Sequence, residues 1–403
     1  MDKIINSHVH NLLPKYIKIL QDLIKFRSIR FHEREIQNYI LKILESYSLD
    51  CSIVYSREDA QSMNIYTVIK GSDPENYNSL ALNAHVDIAP IEEEHLWKFP
   101  PFSGYIERNF IYGRGAKDDK AGVTILLYLI EIIKELKLKL KGNLILHFVV
   151  DDEVSGDGTK KIIEEPNHPR VDGAIIVDGT WTNRIIYAHL GQLYLDITVN
   201  SEIIMPACNV SKSDNVIKLA IAFIKEVNDY IDDLNKNYPL FEDGVIPFFV
   251  NVGSINSGLW YGSTPAYVKL QIQIGFSNAL RVEEIYSSVT NIAEMISSKI
   301  KIEIASMKTN AFIANKDNKL IRIVLNKSIS NQKKEVVPVA GYCDLRHFNT
   351  QNVCMYGPGK GFNNHTIDEC YDLTDLPIVT NELVRICHEW CNTKRNAVYE
   401  DMK

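Results

Sequence analysis

The stretch that most constrains this chain is residues 81–118, where an apolar run leads directly into a closely spaced histidine and aspartate. Residues 80–84 are apolar, as is typical of a buried parallel strand. His85 and Asp87 follow at the carboxyl end, which is where open α/β sheets bind ligands. Side chains two residues apart in an extended segment point the same way. The pattern therefore predicts that His85 faces a metal ion while Asp87 orients the imidazole ring.

A tight turn and a helix start complete this stretch. Residues 113–115 read Gly-Arg-Gly, which lets the backbone bend sharply, and Asp118 follows just before a nearly all-apolar helix predicted at 121–136. A lone His-x-Asp pattern is common and is weak support for a metal site. Its value here depends on further histidines and carboxylates along the chain.

Composition excludes several classes of protein. The 403 residues carry a formal net charge of −7 and the pI is near 5.9, and there is no basic stripe of the kind that binds nucleic acid. No apolar run approaches the roughly 20 residues of a membrane span, and the N-terminus lacks a signal-peptide core. The seven cysteines form no CxxC pair, which fits reduced thiols. We therefore expect a cytoplasmic protein with no nucleic-acid or membrane partner.

Predicted strands and helices alternate along the chain, which indicates an α/β fold with a mixed, mostly parallel sheet. The first helices are predicted at 15–25 and 33–47. Predicted strands at 144–150 and 174–177 end in Asp151-Asp152-Glu153 and in Asp178. From residue 190 the predicted strands and helices follow a β-α-β-β-α-β order, which is typical of a small ferredoxin-like α+β domain. We expect a catalytic domain at 1–189 and 308–403, with 190–307 inserted.

The strand ends and two further positions supply a set of metal ligands. Its members are two histidines and three carboxylates, namely His85, Asp118, Glu153, Asp178 and His365. Such a set suits zinc, or cobalt or manganese, and with one bridging carboxylate it can hold two metals roughly 3.5 to 4 Å apart. A hydroxide shared by the metals would attack an amide carbonyl. Asp152 points the other way from Glu153 and is the candidate general base.

These residues lie in an ordered series of motifs that resembles the M20 metallopeptidase and amidohydrolase family, which includes acetylornithine deacetylase, succinyl-diaminopimelate desuccinylase, aminoacylase and carboxypeptidases. The motifs are His85-Val-Asp87, Pro101-Phe-Ser-Gly, Tyr112-Gly-Arg-Gly-Ala-Lys-Asp118, Asp151-Asp-Glu153, Val177-Asp178, Gly357-Pro-Gly and His365-Thr-Ile-Asp-Glu. The resemblance implies a zinc-peptidase-like catalytic domain in which His85 and Asp178 hold one metal. Glu153 and His365 would hold the other, and Asp118 would bridge them. It also implies that the inserted domain serves as a lid and as the dimerisation surface of a homodimer.

The same resemblance bears on the substrate. Gly357 and Gly359 would shape the pocket, with backbone N–H groups facing a substrate carboxylate, and Arg346 is a candidate for binding a substrate anion. The expected substrate is a small molecule, an N-acyl-amino acid or related amine that loses its acyl group. A carboxypeptidase or dipeptidase would use the same site, and a degenerate relative that keeps the metals without turnover is a further alternative.

Three positions depart from the family pattern. Asp152 stands where the family base is usually Glu, and one methylene less moves the carboxylate by about 1 Å. Residues 200–206 lack the lid histidine that stabilises an oxyanion, a contact worth roughly 3 kcal/mol, although His189 just upstream is a possible substitute. Gln273 occupies the slot of a lid arginine and cannot form the charged fork that Arg makes with a carboxylate. The substrate preference is therefore left open by the sequence.

Overall fold

The computed structural model of the protein describes residues 2–91, 93–180, 183–201, 204, 206, 215–329 and 333–395. The chain forms two compact units. The first comprises Met1–Tyr187, Ala314–Val337 and Cys343–Lys403, and the second comprises Ala188–Ile313 and Pro338–Tyr342. No helix among the described residues is long and apolar enough to span a membrane.

Helices and strands alternate through both units. The helices are α1 (Asp2–Ile24), α2 (Arg34–Ser46), α3 (Lys120–Glu135), α4 (Asp157–Glu164), α5 (Val216–Asn237), α6 (Val282–Ile296), α7 (Lys319–Asn326) and α8 (Leu376–Cys391). The strands are β1 (Cys51–Tyr55), β2 (Met63–Ile69), β3 (Leu80–His85), β4 (Tyr105–Glu107), β5 (Phe110–Tyr112), β6 (Leu144–Val149), β7 (Gly173–Ile176), β8 (Arg184–His189), β9 (Gly191–Asn200), β10 (Phe248–Ser257), β11 (Tyr267–Phe276), β12 (Ile300–Thr309), β13 (Phe312–Ile313), β14 (Glu335–Val339), β15 (Val353–Met355), β16 (Gly361–Phe362) and β17 (Cys370–Asp372).

A mixed sheet forms the centre of the first unit, with the strand order β1-β2-β6-β3-β7-β15-β8. The strands β6, β3, β7 and β15 pair in parallel, and the outer strands pair antiparallel. β3, β6 and β7 are mostly apolar and are buried along their whole length, as is typical of strands covered on both faces. The predicted α/β fold with a mixed sheet is confirmed, and its four central strands pair in parallel.

The parallel strands end at one edge of this sheet. β3 lies between β6 and β7, with His85 opposite Val149 and Asn83 opposite Ile176. The acidic residues that follow β6 and β7 therefore emerge on either side of His85. Sequence analysis placed His85 just beyond its strand, whereas the structure makes it the last residue of β3.

A smaller antiparallel sheet of the first unit, in the order β16-β17-β5-β4, joins two parts of the chain that are far apart in sequence. Cys370 of β17 pairs with Tyr112 of β5. The connection between β16 and β17 carries His365, and the loop after β5 carries Asp118. This pairing is what brings the late histidine to the early aspartate.

Helix α1 begins well before the predicted start at residue 15. It runs from Asp2 and contains Pro14, which has no N–H to donate within the helix. Ile5, Val9 and Tyr16 are completely buried on one face. Burial of this apolar face offsets the missing hydrogen bond, an effect of tertiary packing that local sequence does not reveal.

The second unit follows the β-α-β-β-α-β order predicted from the sequence. Its four-stranded antiparallel sheet has the order β10-β11-β9-β12, and α5 and α6 contact each other and the sheet. In β9 the alternate residues Leu193, Leu195, Ile197 and Val199 are buried in the unit's core. The period of two that predicted a half-exposed antiparallel strand is confirmed.

Candidate metal centre

His85 stands at the centre of the acidic edge of the main sheet and is 2% exposed. Its Nε2 lies 3.1 Å from Asp118 Oδ1, 3.8 Å from Asp178 Oδ1 and 3.9 Å from Asp152 Oδ2. Its Nδ1 lies 3.0 Å from the main-chain oxygen of Asp87 and 3.5 Å from Asp87 Oδ1. The ring thus directs Nε2 toward three carboxylates while Nδ1 is held from behind.

Asp87 supports the site through two different parts of the residue. Its carbonyl oxygen is the nearest contact of His85 Nδ1. Its buried carboxylate accepts the backbone N–H of Asp152 at 3.3 Å and of Glu153 at 3.1 Å. The sequence predicted the contact with the ring, and the structure adds that Asp87 fixes the turn that follows β6.

Asp118 faces both histidines of the predicted ligand set. Its Oδ1 lies 3.1 Å from His85 Nε2, and its Oδ2 lies 3.2 Å from His365 Nε2. Asn364 Nδ2 also donates to Oδ2, at 3.2 Å. His365 Nε2 is 3.1 Å from Glu153 Oε2, and the His365 side chain is 54% exposed. The structure therefore brings all five predicted ligands together, with one carboxylate between two imidazoles.

Asp119 and Glu369 fix the loop that carries Asp118. Sequence analysis did not predict this role for either residue. Asp119, joined to Asp118 by a cis peptide bond, accepts the backbone N–H of His85 at 3.2 Å and of Gly122 at 3.1 Å, so it caps α3 and ties that helix to β3. Glu369 is fully buried and accepts the N–H groups of Lys117 at 3.0 Å and Asp118 at 3.2 Å. Glu369 ends the His365 motif, which was the only sequence signal pointing to it.

The charges of these groups are strongly coupled. Although burial favours its neutral form, hydrogen bonds from His365 and His85 hold the pKa of Asp118 well below its ordinary value. Burial opposes protonation of His85, yet Asp152 and Asp118 raise the pKa of that imidazole well above its ordinary value. Burial, with the nearby Asp118 carboxylate, raises the pKa of Asp178. A bound cation would balance the charge of these buried carboxylates around two imidazoles.

The donor set fits divalent metal ions. His85, Asp118 and Glu153 offer ligand atoms within 4.8 Å of one another, and so do His85, Asp152 and Asp178. Glu153 Oε1 is buried and has no hydrogen-bond partner among the described residues. Imidazole nitrogens and carboxylate oxygens are the ligands that zinc, cobalt and manganese accept. A buried carboxylate oxygen that accepts no hydrogen bond fits the role of a metal ligand.

The three predicted substrate contacts have partners within the protein. Gly357 N–H donates to Thr180 Oγ1 at 3.3 Å, and Gly359 N–H donates to Asp375 Oδ2 at 2.6 Å, so neither is directed at a substrate. Arg346 donates to the carbonyl oxygens of Cys343 at 2.7 Å and Ser155 at 2.8 Å. Their part in substrate binding stays a prediction.

The structure describes only some of the residues at which the predicted lid departs from the family pattern. Within 200–206, the stretch without a histidine, residues 202, 203 and 205 lie outside the described residues. His189 is fully buried and stacks on Phe312, with Nδ1 2.8 Å from the oxygen of Leu190. Gln273 donates to Gln192 Oε1 at 3.0 Å. A histidine enclosed in this way is poorly placed to stabilise an oxyanion.

The fold and this ligand set define a metal-dependent hydrolase. The model of Peptidase family M20/M25/M40 matches residues 81–389, and the chain belongs to that family. The resemblance drawn from the motifs is thereby confirmed, and metal-dependent amide hydrolysis is the reaction the family carries out.

Relatives and solved structures agree with this assignment. A probable succinyl-diaminopimelate desuccinylase of Staphylococcus aureus (strain Mu50 / ATCC 700699) is 25% identical over 91% of this chain and 96% of its own length. The succinyl-diaminopimelate desuccinylase of Blochmanniella floridana is 26% identical over 93% of this chain and 98% of its own. The structure of the di-peptidase Dug1p from Saccharomyces cerevisiae superposes with a TM-score of 0.82 at 14% identity, covering 98% and 99% of the two chains.

Proposed function

We propose that the protein removes an acyl group from an N-acyl-amino acid or a related amine. The observation that carries this proposal is Asp118, whose two carboxylate oxygens each face a different histidine, as a ligand shared by two cations would. The choice of deacylation is supported by the desuccinylases that match this chain over nearly its whole length. The substrate is a small molecule.

The five ligands divide naturally between two metal ions. His85 and Asp178 would hold one, Glu153 and His365 would hold the other, and Asp118 would bridge them. Zinc is the metal we propose, because nitrogen and carboxylate ligands in this number suit it. When bound, two such ions lower the pKa of a shared water and polarise the scissile carbonyl.

Asp152 is the proposed general base. Asp152 is 8% exposed, and its Oδ2 lies 3.9 Å from His85 Nε2, beside the proposed ligands but outside the proposed set. Burial, together with the carboxyl group of Asp344, raises the pKa of Asp152 well above its ordinary value. A carboxylate with a raised pKa both takes a proton from the attacking water and returns it to the leaving nitrogen. Asp87 would hold the His85 ring and the turn after β6 in place.

The remaining assignments concern the surroundings of the site. We assign the inserted domain at 190–307 the roles of lid and dimerisation surface. The position of β10 at the edge of the four-stranded sheet supports a dimer, because a second copy can pair with an edge strand. The loop with Gly357 and Gly359, and Arg346, would border the substrate. The six described cysteines are free, in agreement with a cytoplasmic protein.

The test is hydrolysis by purified protein loaded with zinc, cobalt or manganese. N-succinyl- and N-acetyl-amino acids are compared with dipeptides, and bound metal is counted in the same samples. We expect about two metals per chain, release of the acyl group, and a loss of roughly 100- to 10,000-fold in kcat for Asp152→Asn. Asp172→Asn, at a buried aspartate that binds Arg170 and Arg395, is the control and should keep kcat.

Each other outcome has a definite meaning. Faster hydrolysis of dipeptides than of N-acyl-amino acids would replace deacylation by dipeptidase activity at the same site. Two bound metals without turnover of any compound would identify a degenerate relative. Failure to bind metal would refute the site itself.

A further inference from the structure

The loop between β16 and β17, residues 363–369, presents His365 to the other proposed ligands. Asn363, His365 and Thr366 are exposed there. His365 has a left-handed backbone with a φ of 61°, which a residue other than glycine keeps only where surrounding contacts stabilise it. Thr366 N–H and Oγ1 donate to the carbonyl oxygen of Asn363, at 3.1 and 3.2 Å, but these bonds stay within the loop. The position of His365 therefore depends on contacts that reach outside the loop.

Asn364 makes one such contact, directly beside His365 in the chain. It is half-buried, and its Nδ2 donates to Asp118 Oδ2 at 3.2 Å. Gly179 leaves room for this amide, because a Cβ at that position would lie 3.2 Å from Asn364 Nδ2 and 3.7 Å from Asp118 Cβ. The side chain of Asn364 thus joins an exposed loop to the carboxylate that is proposed to bridge two metals.

This hydrogen bond is compatible with a bound metal, whereas the contact of the neighbouring histidine is not. His365 Nε2 also lies 3.2 Å from Asp118 Oδ2. An imidazole nitrogen that binds a metal carries no proton, so it cannot donate to a carboxylate. A carboxylate has about four lone-pair sites on its two oxygens, so Asp118 Oδ2 can face a metal and accept an N–H together. The amide of Asn364 can therefore tie the loop to Asp118 both before and after metal binding.

We propose that Asn364 is a positioning residue that docks the His365 loop on the bridging carboxylate. By this contact it prepares the site of the metal assigned to Glu153 and His365. Asn364 acts through Asp118 and His365 and is not itself one of the proposed ligands. The inference rests on the proposed function, because it takes over the division of the ligands between two metals.

The two metals should depend on Asn364 to different degrees. Asp118 Oδ1, which faces His85, lies on the other side of the carboxylate, and Glu369 fixes the backbone of Asp118. The metal assigned to His85 and Asp178 therefore keeps its ligands when the loop is released. Hydrogen bonds that orient ligands typically contribute 10- to 100-fold to metal affinity. That loss is expected for the other metal alone.

Titration calorimetry with Zn²⁺ on the full-length protein, stripped of metal beforehand, tests this inference. His365→Ala identifies the binding step that belongs to the metal of Glu153 and His365. Asn364→Ala removes the amide, and Asn364→Leu fills its place without an N–H donor. Thr366→Val is the matched control, because it removes a hydrogen bond of the same loop that does not reach Asp118. Hydrolysis of the N-acyl-amino acids is measured on the same samples.

We expect Asn364→Ala and Asn364→Leu to raise the dissociation constant of the step identified by His365→Ala by roughly 10- to 100-fold. The other step should be unchanged in both variants. Thr366→Val should match the wild type in both steps.

The inference is overturned if Asn364→Ala binds both metals as the wild type does, or if both steps weaken equally. Wild-type binding by Asn364→Leu would also overturn it, since packing and not the hydrogen bond would then hold the loop. So would a loss in Thr366→Val as large as in Asn364→Ala, because any loosening of the loop would then suffice.

The proposed function can fail separately, because zinc binding is measured without substrate. The expected split between the two steps, with no hydrolysis of any compound, would reject the proposed function and support the role of Asn364. A wild type that binds fewer than two zinc ions would reject both.

Discussion

Glu369→Gln tests whether one buried carboxylate holds the loop that delivers Asp118 to the metal centre. Besides the N–H groups of Lys117 and Asp118, the Glu369 carboxylate accepts from Gly115 N at 3.0 Å and from Arg114 Nη1 at 2.9 Å. Glutamine has the same shape, but it carries no charge and one of its oxygens becomes an NH2 group. The NH2 group cannot accept a hydrogen bond, so the N–H donors that it faces lose their acceptor.

The size of the effect follows from these four contacts. Arg114 is 2% exposed and would lose its buried partner, and breaking a buried ion pair from one side costs about 3–5 kcal/mol. A buried N–H left without an acceptor costs about 1–3 kcal/mol. Both costs arise from the loss of the same carboxylate, so they are not additive. We therefore expect the free energy of unfolding to fall by about 4 kcal/mol.

The loop also carries a ligand, so metal binding should weaken as well. Loss of a group that orients a ligand typically lowers metal affinity about 10- to 100-fold. Urea denaturation of the metal-free protein measures the first effect, and competition with a zinc chelator measures the second. Glu107→Gln is the control, because Glu107 is exposed and its ion pair with Lys98 is worth at most about 1 kcal/mol. A Glu369→Gln protein as stable as this control, with wild-type zinc affinity, would refute the reasoning.

Three further predictions concern the metals, the pH and the packing. His365→Ala removes one proposed ligand of the metal assigned to Glu153 and His365, so the metal content of dialysed protein should fall from about two ions per chain to about one. His147 and His168 share a hydrogen bond of 2.9 Å, and burial lowers the pKa of His168 from 6.5 to about 4. The unfolded chain therefore binds a proton at residue 168 between these pH values that the folded chain does not. As the pH drops from 6.5 to 4, urea denaturation should show the free energy of unfolding falling by about 3 kcal/mol more in the wild type than in His168→Gln, since His147, whose pKa burial also lowers, titrates in both proteins. Gly357→Ala would place a Cβ 2.6 Å from Asp178 O, so calorimetry should show a lower melting temperature and chelator competition a weaker zinc affinity.

Much of the metal centre was predictable because parallel strands align their ends. Three apolar runs ending in His85, Asp152-Glu153 and Asp178 specify a common edge once the sheet is parallel there. That inference needs only a periodicity and the rule that ligands bind at the carboxyl ends of strands. The convergence of His365 on this edge came from the family resemblance instead, since the pairing of β17 with β5 has no local signal.

The carboxylates that hold the site together could not be predicted in the same way. Glu369 acts on backbone N–H groups of a loop that is distant in sequence, and any residue type can supply an N–H. Asp375 is similar, since it accepts the N–H of Gly359 that the sequence had assigned to substrate. Side chains that satisfy backbone donors leave no spacing pattern, so only the folded chain reveals which donors are already taken.

The turn after β6 fixes the backbone from which Asp152, the proposed base, projects. Asp87 accepts the N–H groups of Asp152 and Glu153, and Asp151 is bound by Arg57. The side chains of Asp152 and Glu153 therefore start from fixed Cα positions and differ only in length and direction. A glutamate at 152 would reach further but would have a third torsion to restrain. With the main chain fixed in this way, the proposed base Asp152 gives up reach and has one side-chain torsion fewer to restrain than a glutamate would.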